Sequence, residues 1–156
     1  MSNIVVQKFG GTSLADTDRF KAVAKIIKDT SKKGKKVVAV VSAMAGETQR
    51  LINLAKKVQE TPDPREYDAL ISSGEQVSVA LLAMTLRNEK VNSKSYTAFQ
   101  LGLRTDDYHG KARINSIDTK NILKDISADI TPVITGFQGV NEEGDITTLG
   151  RGGSDT

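Results

Sequence analysis

Val37-Val38-Ala39-Val40-Val41 decides the fold. Five consecutive apolar residues, four of them β-branched, predict a short central strand covered on both faces, since a half-exposed strand would alternate with polar residues. The run stops at Ser42-Ala43-Met44-Ala45-Gly46, a loop of small residues. Upstream, Phe20, Val23, Ala24 and Ile27 recur at helical spacing, with Asp16 or Thr17 placed to cap the start and Gly34 to end the helix. Before that helix, Ile4-Val5-Val6 followed by Lys8-Phe9 reads as a short buried strand running into Gly10-Gly11-Thr12-Ser13.

Downstream, Leu51, Leu54, Ala55 and Val58 mark a second helix, and Pro62 and Pro64 punctuate the next turn. A third helix carries Val77, Ala80, Leu81 and Met84, and its further apolar residues predict burial on most sides. Ser95–Phe99 reads as a strand, Leu101–Gly110 as a loop and Asp118–Ile126 as a short helix. Thr131–Phe137 is β-rich, residues 141–145 form a turn, and Ile146–Leu149 is a short returning strand. Strands alternating with helices at these intervals predict an α/β fold with a mainly parallel sheet. Ligands of such sheets bind beyond the carboxyl ends of the strands. That rule selects Gly10–Ser13, Ser42–Thr48 and the segment from Gly136 onward.

The 156 residues suit one domain, with 38% hydrophobic and 26% charged residues supporting a buried core. No run approaches the roughly 20 apolar residues of a membrane span, and the N-terminus lacks the build of a secretion signal. The absence of cysteine excludes a disulfide framework and thiolate metal sites, and fits a cytoplasmic location. Residues 1–60 hold 12 Lys/Arg against 5 Asp/Glu, and Lys32-Lys33-Gly34-Lys35-Lys36 is the densest basic run. A nucleic-acid patch is one reading, but no aromatics interleave with the lysines. Cations closing a helix at the negative end of its dipole account for the run.

Three segments carry candidate chemistry. In Lys8-Phe9-Gly10-Gly11-Thr12-Ser13, two glycines at a strand end let backbone amides approach a phosphate, and the lysine adds neutralising charge. An ordinary glycine turn fits the same residues. In Gly150-Arg151-Gly152-Gly153-Ser154-Asp155, glycines surround an arginine able to grip a carboxylate in a fork. In Ser72-Ser73-Gly74-Glu75, a serine reads as the cap of a helix starting near Glu75, and Glu75 as a group able to hold an amine. His109 and the pair Asp106-Asp107 read as solvated loop residues, and no metal site is expected.

Taken together, the chain resembles the aspartokinase family of the amino-acid-kinase superfamily. The resemblance rests on Val6-Gln7-Lys8-Phe9-Gly10-Gly11-Thr12-Ser13, Val41-Ser42-Ala43-Met44 with Thr48 and Leu51, and Ser73-Gly74-Glu75. It continues through Thr135-Gly136-Phe137-Gln138-Gly139 and Thr147-Thr148-Leu149-Gly150-Arg151-Gly152-Gly153-Ser154-Asp155-Thr156. The blocks keep the family's order. Between Ala45 and Arg50 the family often has Gly-Asp/Asn-x-Thr-Asp, whereas this chain has Ala45-Gly46-Glu47-Thr48-Gln49-Arg50, with Thr48 still aligned.

The resemblance implies a three-layer α/β/α sandwich with a mainly parallel sheet, and ATP-dependent phosphorylation of the aspartate side chain. It implies that Lys8 stabilises the transferring phosphoryl group, beside Phe9, Gly10, Gly11, Thr12 and Ser13 as the phosphate and ATP loop. Arg151 would grip the aspartate α-carboxylate and Glu75 its amine, with Thr48, Gly152, Gly153 and Ser154 also at the substrate. Asp155 would orient the phosphate-binding groups, and Mg²⁺ would arrive with ATP. Residues 1–156 would be the N-terminal, aspartate-binding portion of the catalytic domain, lacking the nucleotide-binding half and the ACT regulatory domains. A sheet truncated there should expose an apolar edge. Expected partners are aspartate, ATP and a further copy of the protein in a homodimer or larger assembly, with no nucleic acid and no membrane. Two alternatives stand beside this: another amino-acid kinase, of the glutamate type, or a non-catalytic substrate-binding fragment.

Overall fold

The computed structural model describes residues 3–150. In chain order the first elements are β1 (Ile4–Phe9), a 3₁₀ turn (Gly11–Leu14), α1 (Thr17–Lys32), β2 (Lys36–Val41), α2 (Glu47–Val58) and α3 (Pro64–Asn88). Then follow β3 (Ser93–Tyr96), α4 (Ala98–Leu101), β4 (Leu103–Thr105), β5 (Ile114–Ile117), α5 (Lys120–Ser127), β6 (Thr131–Thr135), β7 (Gln138–Val140) and β8 (Ile146–Thr148). One sheet is parallel throughout, in the order β1-β2-β6-β3. As its composition predicts, β2 is interior.

Strand alternation divides the core into two layers. Val37, Ala39, Val41 and Val133 pack with Phe20, Ile27, Leu82 and Leu86 of α1 and α3. Val38 and Ile134 face the other way, against Leu101, Ile122 and Ile126 of α4 and α5. The result is the expected α/β/α sandwich. A second sheet, β5-β4-β7-β8, is antiparallel at both outer pairs, so parallel pairing holds for the first sheet and not for the whole molecule.

The first strand departs from its reading. β1 is an edge strand, with Val6 65% and Ile4 42% exposed, because β2 covers only one of its sides. These residues border an apolar groove of about 420 Å³ with Val38, Val40 and Ile134.

At α1 the caps agree with the sequence. Asp16 accepts from the Arg19 amide at 2.9 Å, and Gly34 follows the last turn at φ +77°. At α3 they do not. Asp63 caps the helix by accepting from the Arg65 and Glu66 amides, Pro64 takes the first helical position, and the helix runs on for 25 residues. Ser72 and Ser73 are therefore mid-helix, their hydroxyls donating to the carbonyls of Ala69 and Leu70. Glu75 sits in the middle of the helix, not in its first turn. Nor is α3 buried on most sides, since Val77 and Met84 are about half exposed. By length and apolarity α3 would reach across a bilayer, contrary to the reading of the sequence, but half of that stretch is buried inside this fold.

Between Ser95 and Gly110 the local pattern misleads. The strand ends at Tyr96, and Thr97 with Gln100 forms a capping box that starts α4. β4 then occupies part of the expected loop.

Candidate active site

Register brings the functional loops together. Phe9 lies beside Val41 and Val41 beside Thr135, so three strands end level and their loops emerge at one edge. There they enclose a cavity of about 800 Å³ lined by Lys8, Gly11 and Thr12, by residues 42–46, and by Thr48, Glu75 and Thr148.

Close packing at two glycines fixes this edge. A Cβ on Gly11 would lie 2.8 Å from the Ala43 carbonyl oxygen, and one on Gly74 would lie 2.8 Å from the Ala43 Cβ. The first loop, the second loop and the middle of α3 therefore meet at Ala43. Gly74 interrupts the helical pattern for this contact and not to end a helix. Gly11→Ala forces a backbone shift, and a loss of about 1–3 kcal/mol in urea unfolding is expected. Stability equal to that of the parent protein would contradict this packing account.

Glu75 is the buried acid of the cavity, 3% exposed. Its Oε1 accepts from the Ala43 amide at 3.2 Å, and its Oε2 has no partner among the described residues. Burial pushes its carboxyl up to about 7, against the lowering effect of the Ala43 amide. A buried carboxylate with an unsatisfied oxygen, on a residue that lines a cavity, is suited to pair with an ammonium group, whose charge would offset the desolvation.

Lys8, at the end of β1, is exposed and lines the cavity. Thr12 lines it as well. Phe9 does not join them, because its side chain is buried in the core under α1, which leaves only its backbone for a ligand. Gly10 and Ser13 also stand outside the cavity lining. The N-terminus of α1 offers little to an anion, since Asp16 already caps it. Thr48 is half-buried in the first turn of α2, after Gly46 at φ +79°. Beside Thr48, Arg50 donates to both oxygens of Glu47, at 2.8 and 2.9 Å. Arg151, Gly152, Gly153, Ser154 and Asp155 lie outside the described residues.

His109 is corrected from a solvated loop residue to a paired one. Its Nδ1 lies 2.9 Å from Oδ2 of Asp68, which is fully buried on α3. The same carboxylate accepts from the Gly110 amide and from both the amide and hydroxyl of Thr148. Asp68 was missed, although its signal was present: it stands seven residues before Glu75, two helical turns along the buried face. Gln138, also buried, donates to the Ser72 carbonyl at 2.9 Å and ties β7 to α3 just before Glu75.

The amino acid kinase family model matches residues 3–156. An aspartate kinase of Stutzerimonas stutzeri is 54% identical over 153 residues, covering 98% of this chain. The chain spans 37% of the length of that relative. The crystal structure of an aspartate kinase from Synechocystis superposes with a TM-score of 0.85 at 38% identity, covering 98% of this chain and 25% of that one. The E. coli aspartokinase III, crystallised with aspartate and ADP, superposes with a TM-score of 0.84 at 25% identity, covering 99% of this chain and 45% of that one.

Proposed function

Since the chain belongs to the amino acid kinase family, we propose that it is the N-terminal, aspartate-binding portion of a cytoplasmic aspartate kinase. The whole protein would transfer the γ-phosphoryl group of ATP to the side-chain carboxylate of L-aspartate, forming 4-phospho-L-aspartate and ADP. This is the first step toward lysine, threonine and methionine. One observation carries the reading: Glu75, buried with an unsatisfied oxygen, shares a cavity with Lys8 and Thr48.

The chemistry suits these groups. A carboxylate nucleophile is already ionised at neutral pH, so no strong general base is needed. The barrier lies in bringing two anions together, which makes catalysis a matter of positioning and charge neutralisation. Glu75 would hold the substrate amine and Thr48 would hydrogen-bond the substrate. Lys8, with the Gly11 amide, would neutralise the phosphoryl oxygens, while Gly10, outside the cavity lining, would shape the turn between them. Arg151 would fork onto the α-carboxylate, with Gly152, Gly153 and Ser154 beside it, and Asp155 would orient the phosphate-binding groups.

Among the described residues no three metal-binding side chains gather. The cavity's buried acid, on the proposed reading, pairs with the substrate amine. Mg²⁺ would enter on the phosphates of ATP. The nucleotide-binding half and the regulatory ACT domains would lie in the length that the relatives have beyond this match, and the protein would assemble as a homodimer or larger.

Trapping with hydroxylamine tests this reading. The whole protein is expected to form aspartyl hydroxamate only when ATP is present, whereas a polypeptide of these 156 residues forms little or none. Efficient formation by the short polypeptide would show that the chain is more than the substrate-binding portion. No formation by the whole protein would overturn the assignment.

A further inference from the structure

Asp68 is buried completely and accepts four hydrogen bonds. Oδ1 takes the Thr148 hydroxyl at 2.6 Å, while Oδ2 takes the Thr148 amide, the Gly110 amide and His109 Nδ1, each at 2.9 Å. Three chain segments thereby converge on one side chain: α3, the loop at 109–110 and the end of β8. Gly110 and Thr148 are also cavity wall, and Glu75 faces that cavity from the same helix as Asp68. Since seven residues of one helix join Asp68 to Glu75 rigidly, Asp68 fixes how far the wall stands from Glu75. A second tie, Arg65 to Asp145, runs from the start of α3 to the β7–β8 turn, but its exposure makes it weak.

We propose that the Asp68–His109–Thr148 latch sets the width of the substrate cavity and so determines discrimination by substrate length, aspartate over its one-methylene-longer homologue glutamate. The proposal rests on the reading of the cavity as the aspartate site. Asp68 touches no substrate in this account. It is a positioning residue, acting through Gly110 and Thr148. A wall released from the latch moves outward, which weakens aspartate binding and admits the longer acid. His109 supplies a side-chain donor to the latch that keeps access to solvent, its side chain being 18% exposed. It is therefore the position where the latch can be loosened without emptying the core.

The test measures kcat/KM for aspartate and for glutamate on the whole protein, with His109→Leu, His109→Asn and Asp68→Asn. Leu removes the donor, while Asn keeps an N–H at the place of Nδ1. His109→Leu is expected to lower the aspartate-to-glutamate ratio about fivefold or more with KM for ATP within twofold, and Asp68→Asn to lower it further. His109→Asn should keep the ratio within twofold. A ratio unchanged in His109→Leu, or lost equally in His109→Leu and His109→Asn, overturns the proposal even if Asp68→Asn fails to fold. A parent protein with no preference for aspartate would instead refute the substrate reading beneath it.

Discussion

Lys8→Ala is expected to lower kcat of the whole protein by roughly 10²–10³-fold while KM for aspartate stays within about threefold. Lys8 stands at the end of an edge strand, its neighbour Phe9 locked in the core and Gly11 packed against the Ala43 carbonyl. The backbone on its C-terminal side is thus fixed before any ligand arrives, as positioned electrostatic stabilisation requires. Charge accumulates between the attacking carboxylate and the phosphoryl oxygens during transfer, and a cation aimed there acts mainly on the transition state. On the proposed reading, ground-state binding of aspartate belongs to other residues, which is why KM should barely move. A kcat within threefold of the parent value would show that Lys8 does not stabilise the phosphoryl group.

Glu75→Gln should produce the complementary pattern, raising KM for aspartate roughly 10–150-fold with a smaller change in kcat, the range expected for losing a charged hydrogen bond. The pH dependence sharpens this. With the carboxyl of the empty site at about 7, the acid is largely protonated below neutrality and must lose its proton to pair with the substrate ammonium. KM for aspartate should therefore fall as pH rises toward 7 and level off above it, and Glu75→Gln should abolish that slope. Stability without substrate runs the other way. The folded-state value lies above the ordinary 4.5, so the contribution of Glu75 is fully present below about 4.5 and is lost as pH rises through about 7. A pH-independent KM in the parent protein would remove Glu75 from the amine site.

Much of the architecture was legible because it depends on strong local signals. The β-branched run at Val37–Val41 could only be a doubly covered strand, and Asp16 and Gly34 marked the ends of α1. The sequence misled where two signals competed. Ser72-Ser73-Gly74 looks like a helix start, yet Asp63-Pro64 had already begun that helix, and Gly74 is explained only by Ala43 approaching from a loop 31 residues earlier. Val6 looks buried because periodicity measures apolarity and not whether a strand has a neighbour on each side. Phe9 belongs to a motif read as phosphate-binding but spends its side chain on the core. Glu75 was found by its motif, whereas Asp68 and His109 were not, because 41 residues separate the partners and neither flank carries a pattern. Contacts of that range are decided by topology, and the sequence alone holds only their faint sign, a charged residue on the buried face of a helix.

The most direct test of the central claim compares aspartate and glutamate as phosphoryl acceptors for the whole protein at saturating ATP, by kcat/KM. The cavity is lined by Glu75 and Lys8, both on rigid elements; if they hold the amine and face the phosphate as proposed, one extra methylene cannot be absorbed without displacing the reacting carboxylate. Aspartate is expected to be preferred by roughly 10–200-fold, the discrimination one methylene supports. Equal values, or a preference for glutamate, would contradict the account.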